Sequence, residues 1–534
     1  MPTSLGELRT ALPSVYQVSS NGSRTEIDAS FELTDQNTFG ITLPNGYNPD
    51  HSLRIDPLIY STFFGGSGDD CWIKPSKDED NNFTCSGFSL SNNFPVVGGV
   101  YQPISRGMYD IIVTKFNHTF SQILYSTYLG GRNDEYSFGG VCDSIGGFLL
   151  AGWTYSPDFP TTTNSYQRTN RGQSDGFVAH LNNTGSVLLW STYLGGSSEE
   201  IVWDIKKVSD ESIVVTGRTD SQNFPTTPGC FDSQIGSDSS FDCFVTRVSN
   251  NGTQLLFSTF LGGSSFEAGN CLNVEHNDDI VVTGITGSSD FPTTTGVYDT
   301  SYNSGDGDCF LTRLNSSGTQ LVFSTYLGGS GHDNGNTTII DPIGGYVVTG
   351  WTASTDFPMT PNAYDSTFNG IEFDLFITRI NSAGSSISYS TYLGGSGYES
   401  LVNISFDRFG NFVFSGATDP VFPTTPNAFQ PVYNGGIDDG YISILSCTNS
   451  QMLYSSYFGG SLTDEIWYSQ FDSNGELIVI GNTMSSDFPV TATAYDTSHN
   501  GSWDCFYARL LVQYDSSPEY DSQQIPEKFE LYPN

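Results

Sequence analysis

Short apolar, β-branched runs alternate with turn residues along most of the chain, and the runs recur in a fixed order of four. The first run is the least regular, as in Glu200–Val208. The second reads SIVVTGRT at Ser212–Thr219, DIVVTGIT at Asp279–Thr286 and GYVVTGWT at Gly345–Thr352. The third reads DCFVTRVS at Asp242–Ser249, DCFLTRLN at Asp308–Asn315 and DLFITRIN at Asp374–Asn381. The fourth is an apolar lead-in ending in STYLGG, such as QLVFSTYLGG from Gln320. Runs of this length and composition predict β-strands, here labelled A to D in chain order. Turns such as DSNGE and DRFGN (A to B) or NNTG and NSSG (C to D) carry the Asn/Gly chemistry that tight hairpins need.

The strand D phrase appears seven times, with its second glycine at Gly66, Gly131, Gly196, Gly263, Gly329, Gly395 and Gly460. Four short antiparallel strands, repeated radially, predict an all-β, closed seven-bladed β-propeller. The repeats enter with a D strand at Leu58–Phe64 and leave after a C strand at Asp504–Leu510, one strand out of phase. The last blade is therefore expected to be completed by the N-terminal strand, which removes both exposed edges of the sheet array. The expected division is a partial β-sandwich-like segment at 1–56, the propeller at 57–512 and a linker at 513–534.

Charge narrows the partners. The chain carries 58 Asp and Glu against 19 Lys and Arg, a formal net charge of −39. Such a surface repels phosphate backbones and anionic lipid, so neither nucleic acid nor a membrane surface is an expected partner. No run of 18 apolar residues occurs, and MPTSLGELRTALPSVYQ lacks an apolar signal core, so neither membrane insertion nor an export signal is expected of the chain as written. The nine cysteines show no CxxC spacing. Cys243, Cys309 and Cys505 share one strand C slot, which predicts small buried strand residues in place of a disulfide framework.

Comparison between blades separates scaffold from variable surface. A Phe-Pro pair follows strand B in every blade, at Phe94, Phe159, Phe224, Phe291, Phe357, Phe422 and Phe488, and reads as a packing device. An Asp opens strand C at Asp110, Asp175, Asp242, Asp308, Asp374, Asp439 and Asp504. Five residues later stand Lys115, His180, Arg247, Arg313, Arg379, Ile444 and Arg509, so ion pairing or hydrogen bonding that fixes the blades is expected of this pair of slots.

A third acidic slot, four residues after the glycine pair, holds Asp70, Glu135, Glu200, Glu267, Asp333, Glu399 and Asp464. Propeller topology puts these near the mouth of the central channel. One reading has each carboxylate cap its own turn. The other makes them a cation-binding ring, whose oxygen-only ligands suit calcium or magnesium. Like charges so close would raise some carboxyl pKa values unless a cation or Arg compensates. No cofactor is otherwise required.

Aromatic residues at slots that do not repeat are the candidate binding residues: Trp153 and Trp351 after the strand B glycine, and Trp72, Trp203 and Trp467 near the start of strand A. Trp rings can stack on sugars, and equally can pack blades. No catalytic residue is assigned and no enzyme is expected. GxSxG and HExxH are absent, and His51, His118, His180, His276, His332 and His499 form no cluster in sequence.

The recurring unit, with V-T-G-x-T, D-F-P-T-T, D-x-F-V-T-R-L-N and Y-S-T-Y-L-G-G in order, resembles the seven-bladed propeller repeats of secreted bacterial proteins, the SBBP repeats. The resemblance covers Ile55 to Leu511, with a departure at Asp419, where DPVFPTT replaces SxDFPTT. Residues before 57 are similar to the end of the β-sandwich that often precedes such propellers, and IPEKFELYPN at Ile525–Asn534 is similar to the linker of a type IX secretion sorting domain. The resemblance implies a secreted or cell-surface location and a fragment of a larger protein. The expected function is a non-catalytic, monomeric binding or adhesion module for an extracellular glycan or protein. A passive spacer, or a metal-dependent hydrolase or lyase with its site at the channel mouth, are the alternatives.

Overall fold

A computed structural model of the protein describes residues 58–514 except 237–239, 304 and 449, together with residues 2–3, 6–7, 15–18, 24–33, 39–48 and 52–55. The sorting-domain-like tail therefore lies outside the described residues. Seven four-stranded antiparallel sheets follow one another in chain order, and the described residues contain no helix. In blade 3, strand A spans Glu200–Lys207, B Ile213–Thr219, C Asp242–Val248 and D Leu255–Leu261, within a residue of the sequence expectation.

The ring closes as the out-of-phase repeat requires. In blade 7, strands A to C (Asp464–Phe471, Leu477–Thr483 and Asp504–Leu510) take Leu58–Phe64 as their fourth strand, with Phe506 opposite Phe63 and Ala508 opposite Ser61. Upstream, Val15–Val18 pairs with Arg24–Glu26 and with Ser52–Ile55, and Ser30–Leu33 pairs with Phe39–Thr42.

The strands hold because each face of each sheet is covered. Seven apolar clusters are present among the described residues, one at each blade junction. The Phe of each Phe-Pro pair is buried in them. The tyrosine of the strand D phrase has a matching task, since it donates from its hydroxyl to the loop that precedes this Phe. Tyr193 reaches the Ser156 carbonyl at 2.7 Å, and Tyr326 the Ser288 carbonyl at 2.7 Å. Phe291 sits 4.7 Å from the Phe310 ring and 5.9 Å from the Tyr326 ring, at 3% exposure. Phe291→Ala is therefore expected to cost about 3–5 kcal/mol in unfolding free energy, read by chemical denaturation.

The basic slot of strand C pairs differently from the expectation. The Asp that opens the strand and the basic residue five positions on stand about 17 Å apart along an extended chain, too far to touch. Each basic side chain turns instead to an acid in its own A–B turn. Lys115 meets Asp78 at 2.7 Å, Arg313 meets Asp279 at 2.8 Å, Arg379 meets Asp341 at 2.5 Å, and His180 meets Asp143 at 2.8 Å. In blade 6, where Ile444 fills the slot, Asp407 accepts the Tyr514 hydroxyl at 2.6 Å. All nine cysteines are free thiols, and Cys243, Cys309 and Cys505 are fully buried.

Candidate functional site

Strand A builds the inner wall. The seven A strands are Asp70–Lys77, Glu135–Cys142, Glu200–Lys207, Glu267–Val274, Asp333–Ile340, Glu399–Phe406 and Asp464–Phe471. They pack against one another all the way round, blade 7 returning to blade 1. Each opens with its acidic residue, which is buried. The backbone N–H of the second glycine of the preceding GG pair donates to that carboxylate, from Gly131 to Glu135 at 2.9 Å and from Gly329 to Asp333 at 2.8 Å. Hydroxyls at the end of strand B add to this, such as Thr154 to Glu135 at 2.6 Å and Thr219 to Glu200 at 2.7 Å.

The seven carboxylates Asp70, Glu135, Glu200, Glu267, Asp333, Glu399 and Asp464 thus face into their own turns and are not brought together as a ring. No group of three or more His, Cys, Asp or Glu residues placed to hold a metal ion occurs among the described residues. Each does have one carboxyl neighbour, the Asp opening strand C of the blade before. The two flank the first glycine of the pair, where a Cβ on Gly130 would collide with both Asp110 and Glu135. That collision explains why the slot is glycine. The strand C Asp accepts from the B–C loop, through both oxygens in Asp110 and Asp175 and through Oδ2 in Asp308, from Asn303 N–H at 2.8 Å. The Oδ1 atoms of Asp308, Asp374, Asp439 and Asp504 are buried without a hydrogen-bond partner. Burial, outweighing the hydrogen bonds, raises the pKa of Glu135 to about 8, of Glu200, Glu267 and Glu399 to about 7, and of Asp70 and Asp464 to about 6.

The residue three places after this acid is the one that differs. Every A strand carries a β-bulge there, because the A–B register skips one residue: Ile73, Phe138, Trp203, Asn270, Asn336, Val402 and Trp467. A bulge re-aims its extra side chain. Phe138 of blade 2 comes within 6.5 Å of Trp467 of blade 7, an approach between the two blades that flank blade 1. Phe138 also lies 5.1 Å from Trp203 and is stacked at 5.1 Å on Trp153, which stacks on Tyr136 at 5.2 Å. Tyr136 in turn meets Tyr109 at 5.6 Å and Phe88 at 5.0 Å. Trp467 donates from its indole N–H to Glu465 at 2.9 Å. Blades 1, 2, 3 and 7 thereby place a continuous aromatic surface at one side of the channel, with Phe138, Trp203 and Trp467 half-buried.

Three of the five tryptophans singled out from the sequence, Trp153, Trp203 and Trp467, meet in this cluster. Trp351 does not. It lies in blade 5 against His332 at 4.7 Å and Phe373 at 4.5 Å. Trp72 is fully buried, stacked on Phe64 at 5.1 Å and edge-on to Phe116 at 5.4 Å, so it is a core residue. It stands two residues after its slot acid where Trp203 and Trp467 stand three after theirs, and one step along a strand reverses the face. The same offset of three would have found Phe138.

The family model that matches the chain is a domain of unknown function (DUF7948), over residues 1–58. No curated protein matches. Among solved structures, a protein of unknown function from Dyadobacter fermentans DSM 18053 is 11% identical, with a TM-score of 0.38 over 85% of this chain and 99% of that one. YCF48 bound to D1 peptide is 8% identical, with a TM-score of 0.41 over 86% of this chain and 97% of that one. The acylaminoacyl peptidase of Pyrococcus horikoshii is 9% identical, with a TM-score of 0.38 over 83% of this chain and 53% of that one, so this chain spans about half its length. Likeness at this level says nothing of activity.

Proposed function

We propose that the protein is a non-catalytic binding module of a secreted or surface protein, and that it takes a glycan on the aromatic surface at the channel. The observation that carries this reading is the Tyr136–Trp153–Phe138–Trp203–Trp467 cluster, which breaks the seven-fold pattern and keeps three rings partly open to solvent. Flat aromatic faces suit the apolar faces of sugar rings, while the Glu465 carboxylate beside Trp467 and the Tyr hydroxyls offer polar partners for sugar hydroxyls. The charged slots, by contrast, repeat from blade to blade and already have intramolecular partners, as scaffold does. Placement outside the cell is supported by the resemblance to secreted bacterial propeller repeats. No helix among the described residues is long and apolar enough to cross a membrane.

The test is depletion of the protein from solution by a panel of insoluble and immobilised polysaccharides, with an assay of the supernatant for new reducing ends. Depletion without release is expected. Trp203→Ala and Trp467→Ala are each expected to weaken it at least tenfold while the melting temperature moves by less than about 3 °C, since both rings are partly open to solvent and stand outside the apolar clusters at the blade junctions. Chelation is expected to leave depletion unchanged, because the buried carboxylates are consumed within their own turns. Released sugar ends would make the protein an enzyme, and no depletion on any polysaccharide would leave a protein-binding or spacer role.

A further inference from the structure

Below the bulge ring, strand A has two more rows of inward-facing positions, and their charge is confined to two blades. One position past the bulge stand Lys74, Gly139, Asp204, Cys271, Thr337, Asn403 and Tyr468. Two further on stand Ser76, Val141, Lys206, Asn273, Ile339, Ser405 and Gln470. Of these fourteen residues only Lys74, Asp204 and Lys206 are charged, and they converge. Lys74 Nζ lies 3.3 Å from Asp204 Oδ1 and Lys206 Nζ lies 2.6 Å from Asp204 Oδ2. Asp204 also accepts from the backbone N–H of Ile205 at 3.0 Å and of Leu272 at 3.1 Å, and from the Cys271 thiol at 3.4 Å.

That carboxylate is saturated, since it offers about four lone-pair sites. The ammoniums are not. Each has three donors, and among the described residues each makes one hydrogen bond, to Asp204. Two positive charges face one negative charge on the wall of a channel, in a chain whose net charge is −39. The side chains of Lys74 and Lys206 keep 36% and 25% of their surface accessible, whereas Asp204 keeps 3%. The lysine side chains are therefore partly open to the lumen, with their counter-ion hidden behind them.

We propose that the channel binds a small anion, an inorganic oxyanion or the carboxylate of a short organic acid, held between Lys74 and Lys206. The site stands apart from the aromatic surface: it uses different residues, a different row of strand A and a different ligand chemistry. Burial draws the Lys206 ammonium down, only partly opposed by Asp204, whereas the Asp204 charge holds Lys74 up against burial, so the charge that a second anion would relieve is that of Lys206. Nothing among the same rows of the other five blades could substitute, because no Lys or Arg occurs in them.

Isothermal titration of the whole protein with sulfate, phosphate and succinate at matched ionic strength tests this. One ion per chain is expected, with Lys206→Met and Lys74→Met each weakening it at least tenfold. Asp204→Asn is expected to tighten it at least threefold, because the competing carboxylate is gone. A purely structural ion-pair network would not give that reversal of sign. Binding of sulfate and phosphate but not succinate would assign an inorganic oxyanion, and binding of succinate would assign an organic acid. A selenate soak read by anomalous scattering is expected to place the ion against both lysines even if Asp204→Asn fails to fold. No uptake of any of the three ions, uptake unchanged in Lys206→Met, or selenate elsewhere overturns the proposal. Trp203→Ala is expected to keep full sulfate affinity, so loss of glycan binding and loss of anion binding are separate results.

Discussion

Removal of Leu58–Phe64 is expected to open the ring, turning a single cooperative unfolding transition into a broad one at lower temperature and making the protein self-associate. The strand serves two blades at once. Its backbone completes the blade 7 sheet against Asp504–Leu510. Its loop contacts run to the same blade, from Thr491 N–H to the Ser61 carbonyl at 3.0 Å and from Asp496 N–H to the Thr62 hydroxyl at 2.9 Å. Its side chains divide: Phe63 packs at 6.1 Å from Phe488 of blade 7, while Phe64 enters blade 1 against Trp72, Phe94 and Phe116. Deleting it empties the sites of two fully buried aromatics, each worth about 3–5 kcal/mol by truncation. That sum is comparable with the whole stability of an ordinary domain, about 5–15 kcal/mol. It also bares the Asp504–Leu510 edge, an unpaired strand that templates association. Differential scanning calorimetry and light scattering read both effects. An unchanged melting temperature with no new association would mean that the closing strand is dispensable. The milder Phe64→Ala keeps the backbone ladder and is expected to lower the melting temperature without association.

Closure was legible because the chain contains seven copies of its own blade, and a D strand with no A strand before it has one place to go. The partners of the basic slot were not. Lys115 and Asp78 lie 37 positions apart, and the acid moves within the A–B turn from blade to blade, Asp78 directly following strand A and Asp279 directly preceding strand B. A spacing rule along one strand therefore finds the wrong Asp. The aromatic surface was half legible. Tryptophans stand out in composition, but which face a side chain takes depends on whether the strand is bulged before it, and Trp72 and Trp203 differ by one residue in that register. Phe138 was hidden among 38 phenylalanines. The Lys74–Asp204–Lys206 group was invisible for a different reason: 130 residues separate Lys74 from Asp204, and only ring closure brings blades 1 and 3 to face one axis. What repeats can be read by comparison within the chain; what is singular needs the geometry.

The acid pairs at the blade junctions make the second large prediction, a stability that falls as the pH rises from about 5 to 9. The first residues of the A strands are carboxyls whose burial outweighs their hydrogen bonds, with pKa values of about 6 to about 8 in the folded protein. In the unfolded chain such groups titrate near 4. Between those limits the folded state holds more protons than the unfolded state, so unfolding becomes easier with each step up in pH. The contribution is complete below about pH 4, is lost as the pH climbs through the folded-state values of about 6 to 8, and is absent above them. A carboxyl whose pKa is higher by one in the folded protein than in the unfolded chain changes stability by about 1.4 kcal/mol, so even a few junctions acting together exceed the effect of most single substitutions. A proton on one member of a pair also supplies the donor that the buried Oδ1 of Asp308, Asp374, Asp439 or Asp504 lacks. The opposite sign belongs to Asp290, Asp356 and Asp487. Backbone N–H bonds from the turn serines draw these carboxyls down, with burial opposing only in part, so stability turns over again below about pH 4. Chemical denaturation at pH 5, 7 and 9 reads the slope. Glu135→Gln keeps the shape of the side chain and its acceptor for Gly131 N–H but cannot ionise, so it is expected to be more stable than the wild type at pH 9 by about 1–2 kcal/mol and little changed at pH 5. A stability that instead rises steadily to pH 9 would mean that the pairs are ionised and neutralised by bound cations, and in that case chelation would restore the downward slope.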